Sequence, residues 1–347
     1  MIRTSLRATA AVTTSAALLL AAAPAAVADA AADFYNGKTI TLVVGFSAGG
    51  GSDTFARFLQ PHLAAHMPGK PSVIVQNMPG AGGLKALNHV YNTPPQDGTR
   101  VMLSAPSHTL AFLLGRKNIR YDINRIRWIG TLTQDTQSCV ASGKSGITSI
   151  TQTKTKKLVV GATGPNSTVA QHALLLKNMF GYKLDIVTGY PGTSRVRMAM
   201  QTGEVQAVCA FWASAALGPQ SQQVKSGELV PIVQMGRKPV PVFGNAPVVY
   251  DLARDEDERR IMRVVFGTTE LSRPFAAPPD TPDMQLAALR KGFWAAVNSD
   301  ELKADAKRKK LIIDPLDAAD TEAAFKEILS TPKHLIERAK KVISKLN

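Results

Sequence analysis

Ser47 lies in the segment G-F-S-A-G at residues 45–49, whose spacing matches the nucleophile elbow of serine hydrolases. Such an elbow needs a strand before the serine and a helix after it, and the flanking sequence allows both. The mechanism also needs an oxyanion donor from a loop after an earlier strand, yet only residues 31–46 separate Ser47 from an N-terminal leader. The residues therefore favour a glycine-rich turn that holds a ligand. An exported serine hydrolase using Ser47 is the alternative.

Other motifs for catalysis or for metal binding are incomplete. Gly80 and Gly82 lack the third glycine of a dinucleotide-binding loop, and residues 45–53 contain no lysine for a P-loop. His62 and His66 have the spacing of a zinc-protease helix but lack its glutamate. We therefore expect no cofactor and no metal site.

The first 30 residues have the pattern of a secretory signal peptide. Arg3 and Arg7 precede an apolar run at 16–23, and small residues at 26–30 offer a cleavage site. The run is shorter than the roughly 18 apolar residues of a membrane span, and no later run reaches that length. We therefore expect residues 1–30 to be removed on export.

The charge of the chain favours an anionic partner. The 347 residues carry a formal net charge of +15, which attracts anions. Nucleic acid is disfavoured because the one dense basic run, at 307–310, has no interleaved aromatic residues. A solvated helix face explains that run better.

Strand and helix patterns alternate along the chain in two blocks. Apolar strand-like segments occur at 39–45, 72–76, 100–104, 157–161, 184–188, 205–211 and 229–234. Helical stripes separate most of them, so the order predicts βαβ units and two α/β domains with parallel sheets. The segment from 283 onward is helical, and we expect it to pack back on one of the two domains.

The turns between these strands and helices are rich in Gly, Ser and Pro. They lie at 46–52, 79–83, 162–168 and 189–194. In an open α/β sheet such turns lie at the carboxyl ends of the strands, where ligands bind. Their backbone N–H groups and the positive ends of the following helices suit an anion, such as a carboxylate.

Taken together, the motifs resemble the periplasmic solute-binding proteins of tripartite tricarboxylate transporters, the Bordetella-uptake-gene type. The resemblance rests on segments 45–53, 77–83, 97–99, 161–172, 189–192 and 203–205, and on Arg273-Pro274-Phe275 followed by Pro278-Pro279. It implies an α/β, two-lobed periplasmic-binding-protein fold (a type II Venus flytrap) with a ligand cleft between the lobes. The expected partners are a carboxylate ligand and the membrane permease subunits of the transporter, with a membrane sensor as the alternative partner. We expect a monomer that is not an enzyme.

The resemblance also implies the domain boundaries and the site residues. The first lobe would comprise 31–136 and 264–347, and the second lobe 137–263. The predicted ligand-binding residues are Phe46, Ser47, Ala48, Gly49, Gly50, Asp53, Ser104, Ser107, Gly164, Asn166, Ser167, Thr168, Tyr190, Pro191, Gly192 and Trp212. A dicarboxylate, a tricarboxylate and an aromatic acid all remain open as ligands.

The chain has two cysteines, Cys139 and Cys209, and both follow the signal peptide. In an oxidising compartment such a pair is more often a disulfide than two free thiols, although two buried thiols are the alternative. The resemblance implies that the two residues lie on facing antiparallel strands of the second lobe. A bridge there would leave the movement of the lobes free.

Overall fold

The computed structural model describes residues 30–344 except 47, 50, 164–166 and 191. Within this part of the chain, the strands form two five-stranded sheets. The strands are β1 Thr39–Val44, β2 Ser72–Asn77, β3 Arg100–Leu103, β4 Arg127–Thr131, β5 Gln137–Ser142, β6 Leu158–Ala162, β7 Leu184–Thr188, β8 Ala207–Trp212, β9 Leu229–Gln234 and β10 Pro274–Ala277. We call the sheet that contains β1, with its packed helices, the first lobe, and the sheet that contains β6 the second lobe.

Helices cover both sheets. They are α1 Gly51–His66, α2 Leu84–Asn92, α3 Pro106–Leu113, α4 Thr168–Phe180, α5 Thr193–Thr202, α6 Ala213–Leu217, α7 Ser221–Lys225, α8 Glu256–Met262, α9 Thr268–Glu270, α10 Asp283–Asn298, α11 Asp300–Lys309, α12 Ala318–Leu329 and α13 Lys333–Ser344, and a π-helical turn spans Arg263–Gly267. Short 3-10 turns lie at Ala81–Gly83, Ile123–Arg125, Gly143–Ser145, Ile150–Lys154, Pro241–Phe243 and Val249–Leu252. Across the described residues, no helix has both the length and the apolar character needed to cross a bilayer.

The first lobe has the strand order β2-β1-β3-β10-β4. Strand β1 pairs in parallel with β2 and β3, whereas β10 runs antiparallel to β3 and β4. Ile40 and Leu42 face one apolar core and Val43 faces the other, so β1 is buried on both sides. This double burial explains its unbroken apolar sequence. The glycine-rich turn therefore begins where a fully buried strand ends.

The second lobe has the strand order β7-β6-β8-β5-β9. Strand β6 pairs in parallel with β7 and β8, whereas β5 runs antiparallel to β8 and β9. The pattern-based prediction of parallel sheets did not include β5 and β10, which run antiparallel, whereas the antiparallel pairing of β5 with β8 that the resemblance implied is confirmed. Each of these strands enters its sheet after the chain has crossed from the other lobe, without the covering helix that makes a βαβ unit parallel.

The two cysteines form a disulfide inside the second lobe. Cys139 of β5 and Cys209 of β8 lie on neighbouring antiparallel strands and are both buried. The pairing of these strands shifts between Ser138 and Val140, and Ala210 has a φ of 61° at the same place. The predicted disulfide is confirmed, and it joins two strands of one lobe.

The C-terminal helices divide between the two lobes. Helix α10 packs on α1 and α12 packs on β4, as expected for the first lobe. Helix α13 instead packs on α4 and α8, and its apolar stripe of Leu335, Ala339 and Ile343 joins the core of the second lobe. The assignment of 264–347 to the first lobe is therefore wrong for 333–344. The stripe indicated that α13 is covered on one face, but not by which lobe.

Candidate functional site

A cavity of about 570 Å³ lies between the two lobes, because residues of both contribute to its wall. Among the described residues, four helices begin at this cavity. The lining residues at their starts are Gly51 and Ser52 of α1, Pro106 and Ser107 of α3, Thr168 and Val169 of α4, and Thr193 of α5. The N–H groups of a first turn point out of the helix and give its start a partial positive charge. The cavity is therefore electropositive even before any side chain is considered.

One side of the cavity is apolar. Strand β8 contributes Val208, Ala210, Phe211 and Trp212, and the first lobe contributes Phe46. Gln137 also lines the cavity, and its Oε1 atom has no hydrogen-bond partner in the described part of the chain. A ligand in this cavity would therefore meet apolar carbon together with the side chain of Gln137.

Arg273 lies at the cavity and is almost fully buried. Its guanidinium carbon is 4.8 Å from the ring centroid of Phe55 and 5.3 Å from that of Trp212, so the group packs between two aromatic rings. Its Nη1 donates to the carbonyl of Ser272 at 2.7 Å, whereas its Nε has no partner among the described residues. Burial lowers the pKa of Arg273 to about 10, and Asp135 opposes that shift. The side chain is therefore a cation at neutral pH.

Asp135 is the acidic group that acts on Arg273, but it is engaged elsewhere. Its carboxyl accepts hydrogen bonds from Ser214 Oγ at 2.6 Å and Ser214 N at 3.4 Å. Burial raises the pKa of Asp135, while Ser214 and then Arg273 oppose that rise. No ion pair within 4.0 Å joins Asp135 to Arg273 in the described part of the protein. The cation at the cavity therefore lacks a paired carboxylate.

Arg197 is a second arginine at the cavity. It lies on α5, one turn after Thr193, and is partly buried. Burial lowers the pKa of Arg197, and no ion pair within 4.0 Å joins it to a carboxylate of the described residues. The lining set of the cavity contains these two arginines and no Asp or Glu. The positive charge of this wall therefore has no acidic partner among the lining residues, and an anionic ligand would complement it.

The described residues contain no cluster of His, Cys, Asp or Glu that could hold a metal ion. No protein-family model matches the chain. In sequence, the chain is 29% identical over 232 residues to "UPF0065 protein in gbd 5'region" of Cupriavidus necator, covering 65% of this chain and 67% of that protein.

Three solved structures share the fold. The TctC solute-binding protein from Polaromonas matches with a TM-score of 0.66 and 20% identity, covering 88% of this chain and 99% of that one. Rpa4515 of R. palustris, solved with adipate, matches with a TM-score of 0.65 and 20% identity, covering 88% of this chain and 97% of that one. MatC from Rhodopseudomonas palustris, solved with bound malate, matches with a TM-score of 0.62 and 19% identity, covering 88% of this chain and 99% of that one.

The chain has the fold of the TctC solute-binding proteins. The resemblance predicted from the sequence is confirmed, and so is the two-lobed α/β fold that it implied. In the TctC-type fold of this chain, five of the predicted ligand residues lie on the wall of the interlobe cavity. They are Phe46, Ser107, Ser167, Thr168 and Trp212.

Asp53 lies behind the cavity wall of this TctC-type fold and supports the turn before α1. Its carboxylate accepts hydrogen bonds from Gly49 N, Arg57 Nε and Asn77 Nδ2 at 2.9 to 3.0 Å. Burial would raise the pKa of Asp53, but these hydrogen bonds outweigh it and hold the pKa below its usual range. The N–H of Gly49, expected to face a ligand, is thus directed to Asp53, and Ala48 and Gly49 do not line the cavity.

Three other predicted residues also lie away from the wall. Ser104 Oγ is 3.0 Å from His108 Nδ1, a contact that ties β3 to α3. Tyr190 donates from its hydroxyl to Glu204 at 2.6 Å, and Gly192 precedes α5 as its N-cap residue. None of these three residues lines the cavity. Ser47, Gly50, Gly164, Asn166 and Pro191 lie outside the described residues, as do residues 1–29 of the predicted signal peptide.

The two charged residues of the cavity wall, Arg273 and Arg197, were not among the predicted ligand-binding residues. Arg273 is a lone charge between apolar segments, in L-S-R-P-F-A-A at 271–277, and such a charge near a buried strand was the available signal. Arg197 gave no comparable signal, because α5 carries Arg195 two residues earlier and sequence alone does not say which of the two faces the cavity.

Proposed function

We propose that this chain is an extracytoplasmic solute-binding protein that captures a carboxylate metabolite in the cavity between its lobes. The observation that carries the proposal is the convergence of four helix starts and two arginines on one cavity whose described wall has no acidic side chain. Malate and adipate, the molecules named for MatC and Rpa4515, are both carboxylates, which supports this ligand class.

The affinity of such a site follows from its donors. A hydrogen bond to a charged group contributes about 1.5–3 kcal/mol, so three or four on one carboxylate reach micromolar binding. The candidate donors are the N–H groups at the helix starts and the guanidinium of Arg273, which lines the cavity. Because these donors come from both lobes, one ligand can contact both.

Ligand contact with both lobes provides a mechanism for closure. Only a ligand that interacts better with the closed form can shift the balance between open and closed forms. The crossings near 134–138 and 263–268 join the lobes and would act as the hinge. We propose that permease subunits of a tripartite tricarboxylate-type transporter recognise the closed form in the periplasm, after removal of residues 1–30.

Replacing Gly51 with leucine should abolish ligand binding while the protein stays folded. Gly51 lines the cavity, and an added Cβ there would meet only Arg273 Nη2, at 3.5 Å, so a side chain can project into the ligand space. The measurement is a thermal-shift screen with carboxylic acids, in which a ligand at 100 times its Kd stabilises the protein by about 2.7 kcal/mol.

The exposed Ala323 of α12 supplies the matched control for that screen. The Ala323→Leu protein should respond to ligand as the wild type does. A Gly51→Leu protein that still shows the full ligand-induced shift would contradict placement of the ligand in this cavity.

Replacing Ser47 with alanine should leave much of the carboxylate affinity, because a binding site loses one hydroxyl whereas a hydrolase loses its nucleophile. The measurement pairs calorimetry with an esterase assay on both proteins. Wild-type turnover that disappears in Ser47→Ala would instead support the exported serine hydrolase.

A further inference from the structure

We propose that Glu327 lowers the affinity of the interlobe cavity for its ligand from outside that cavity, because its ion pairs join the two lobes on the far side of the hinge. This inference rests on the proposed function and deepens it. It assigns control of the affinity to a residue that does not line the interlobe cavity.

The two crossings between the lobes lie side by side. Asp135 N, in the first crossing, donates to the carbonyl of Glu270, just after the second crossing, at 3.3 Å. Farther along the same pair of segments, Leu132 N donates to the carbonyl of Arg273 at 3.0 Å. These main-chain hydrogen bonds tie the crossings together, so the lobes can rotate about them as about one hinge.

The crossings separate the interlobe cavity from a second cavity of about 430 Å³. We call it the hinge cavity, and it is lined by Arg237 and Val240 of the second lobe and by Ile312 and Asp314 of the first. Three pairs of consecutive residues divide between the two cavities, with the residue at the interlobe cavity given first: Gln137 and Thr136, Trp212 and Ala213, and Thr269 and Glu270. The two cavities therefore lie on opposite sides of the same segments. A rotation that narrows the interlobe cavity widens the hinge cavity.

Glu327 joins the lobes on the hinge-cavity side. It belongs to α12 of the first lobe, and its Oε2 accepts a hydrogen bond at 3.0 Å from Nη2 of Arg237, which follows β9 of the second lobe. Its Oε1 lies 3.4 Å from Nη1 of Arg263, the first residue of the π-helical turn that leaves the second lobe. Both arginines reach the carboxylate from the second-lobe side. Closure of the interlobe cavity therefore draws at least Arg237 away from Glu327.

The size of the effect follows from the exposure of the ion pair. The side chains of Arg237 and Glu327 are 44% and 41% exposed, and an ion pair this open to water changes an equilibrium constant only about two- to fivefold. A ligand that contacts both lobes must shift the protein toward the closed form, so stabilisation of the open form lowers its apparent affinity. Glu327 therefore weakens ligand binding by about that factor.

The test variant is Glu327→Gln, which removes the charge and keeps the size of the side chain. It should bind a carboxylate about two- to fivefold more tightly than the wild type does. The measurement is titration calorimetry with succinate, citrate and benzoate, one from each ligand class that the sequence leaves open. Arg237→Gln is less suitable, because Arg237 also pairs at 3.1 Å with the largely buried Glu270.

Glu322→Gln is the matched control. It makes the same change of charge on the same helix, but Glu322 pairs with Arg290 of α10, so both partners belong to the first lobe. Its affinity should equal that of the wild type. The comparison separates the loss of the interlobe ion pairs from a general gain of positive charge.

A second measurement follows the lobes without any ligand. Nitroxide labels on Thr54→Cys of α1 and Ser194→Cys of α5 would lie on exposed positions in the first turns of helices that begin at the cavity from opposite lobes. The native cysteines are bonded to each other and do not compete for the label. Pulsed dipolar spectroscopy should show more of the short distances in Glu327→Gln than in Glu322→Gln.

The inference is wrong if Glu327→Gln binds no more tightly than Glu322→Gln, and weaker binding would mean that the ion pairs stabilise the closed form instead. If none of the three acids binds to any of the proteins, the proposed function fails. Identical label distances in the two variants would in that case also reject the role of Glu327, whereas a shift to shorter distances would support it.

Discussion

Replacing Cys139 and Cys209 together with alanine should lower the free energy of unfolding by about 4 kcal/mol. The bridge spans 70 residues, and closing a loop of that size restricts the unfolded chain strongly. We expect a fall in Tm of roughly 10 °C, since each kcal/mol shifts the Tm of a chain this large by about 2–3 °C. Denaturant unfolding of the variant and the oxidised wild type measures the difference.

Reductant gives the control for this comparison. It should destabilise the wild type toward the level of the double-alanine protein and leave that protein unchanged. Ligand affinity should change little, because the bridge lies within the second lobe and crosses no hinge. Equal stability of the two proteins would contradict a structural role for the disulfide.

Acid should destabilise the protein through His172 by about 2 kcal/mol between pH 7 and pH 5. His172 is fully buried in α4, its two ring nitrogens lack partners among the described residues, and its ring packs edge-on against Phe266 at 4.8 Å. Burial lowers the pKa of His172 from 6.5 to about 3. The unfolded chain therefore takes up a proton below pH 6.5 that the native state refuses, and stability falls by about 1.4 kcal/mol per pH unit until the native pKa is reached.

The variant His172→Leu should lose this part of the pH dependence and should be at least as stable as the wild type at pH 7. It removes the two unpartnered nitrogens and keeps the apolar volume. His334→Leu is the matched control, since His334 is an exposed histidine on α13, and it should keep the wild-type slope. Denaturant unfolding at several pH values distinguishes these outcomes. An unchanged slope in His172→Leu would show that His172 is not the group responsible.

Much of the fold could be predicted from the sequence because its signals are local. The apolar run of β1, the glycine-rich turn after it and the stripe of α1 are all read from neighbouring residues. Strand direction is different, since an apolar strand has the same pattern whether it runs parallel or antiparallel. The sequence pattern singled out neither β5 nor β10, and only the family resemblance indicated that β5 runs antiparallel to β8.

The site was predicted less completely because it depends on contacts between distant segments. The turns at 46–52 and 162–168 mark the ends of strands, and the described residues at their edges do line the cavity. Asp53 was predicted to bind the ligand, but its carboxylate accepts hydrogen bonds from Gly49 and Asn77 and therefore points into the turn. Arginine side chains are usually exposed, so the residue type alone did not predict a buried Arg273. Its position at the cavity depends on its packing between Phe55 and Trp212, which are distant in sequence.

Because α13 packs on the second lobe, the two ends of the described chain belong to different lobes. Tyr35, near the start of the described chain, is buried in a first-lobe core, whereas Ile343 is buried in the second. A donor fluorophore fused before residue 30 and an acceptor fused after residue 347 would therefore be attached to different lobes. If the proposed function holds, their energy transfer would change on ligand binding, and the protein could serve as a biosensor without any label near the cavity.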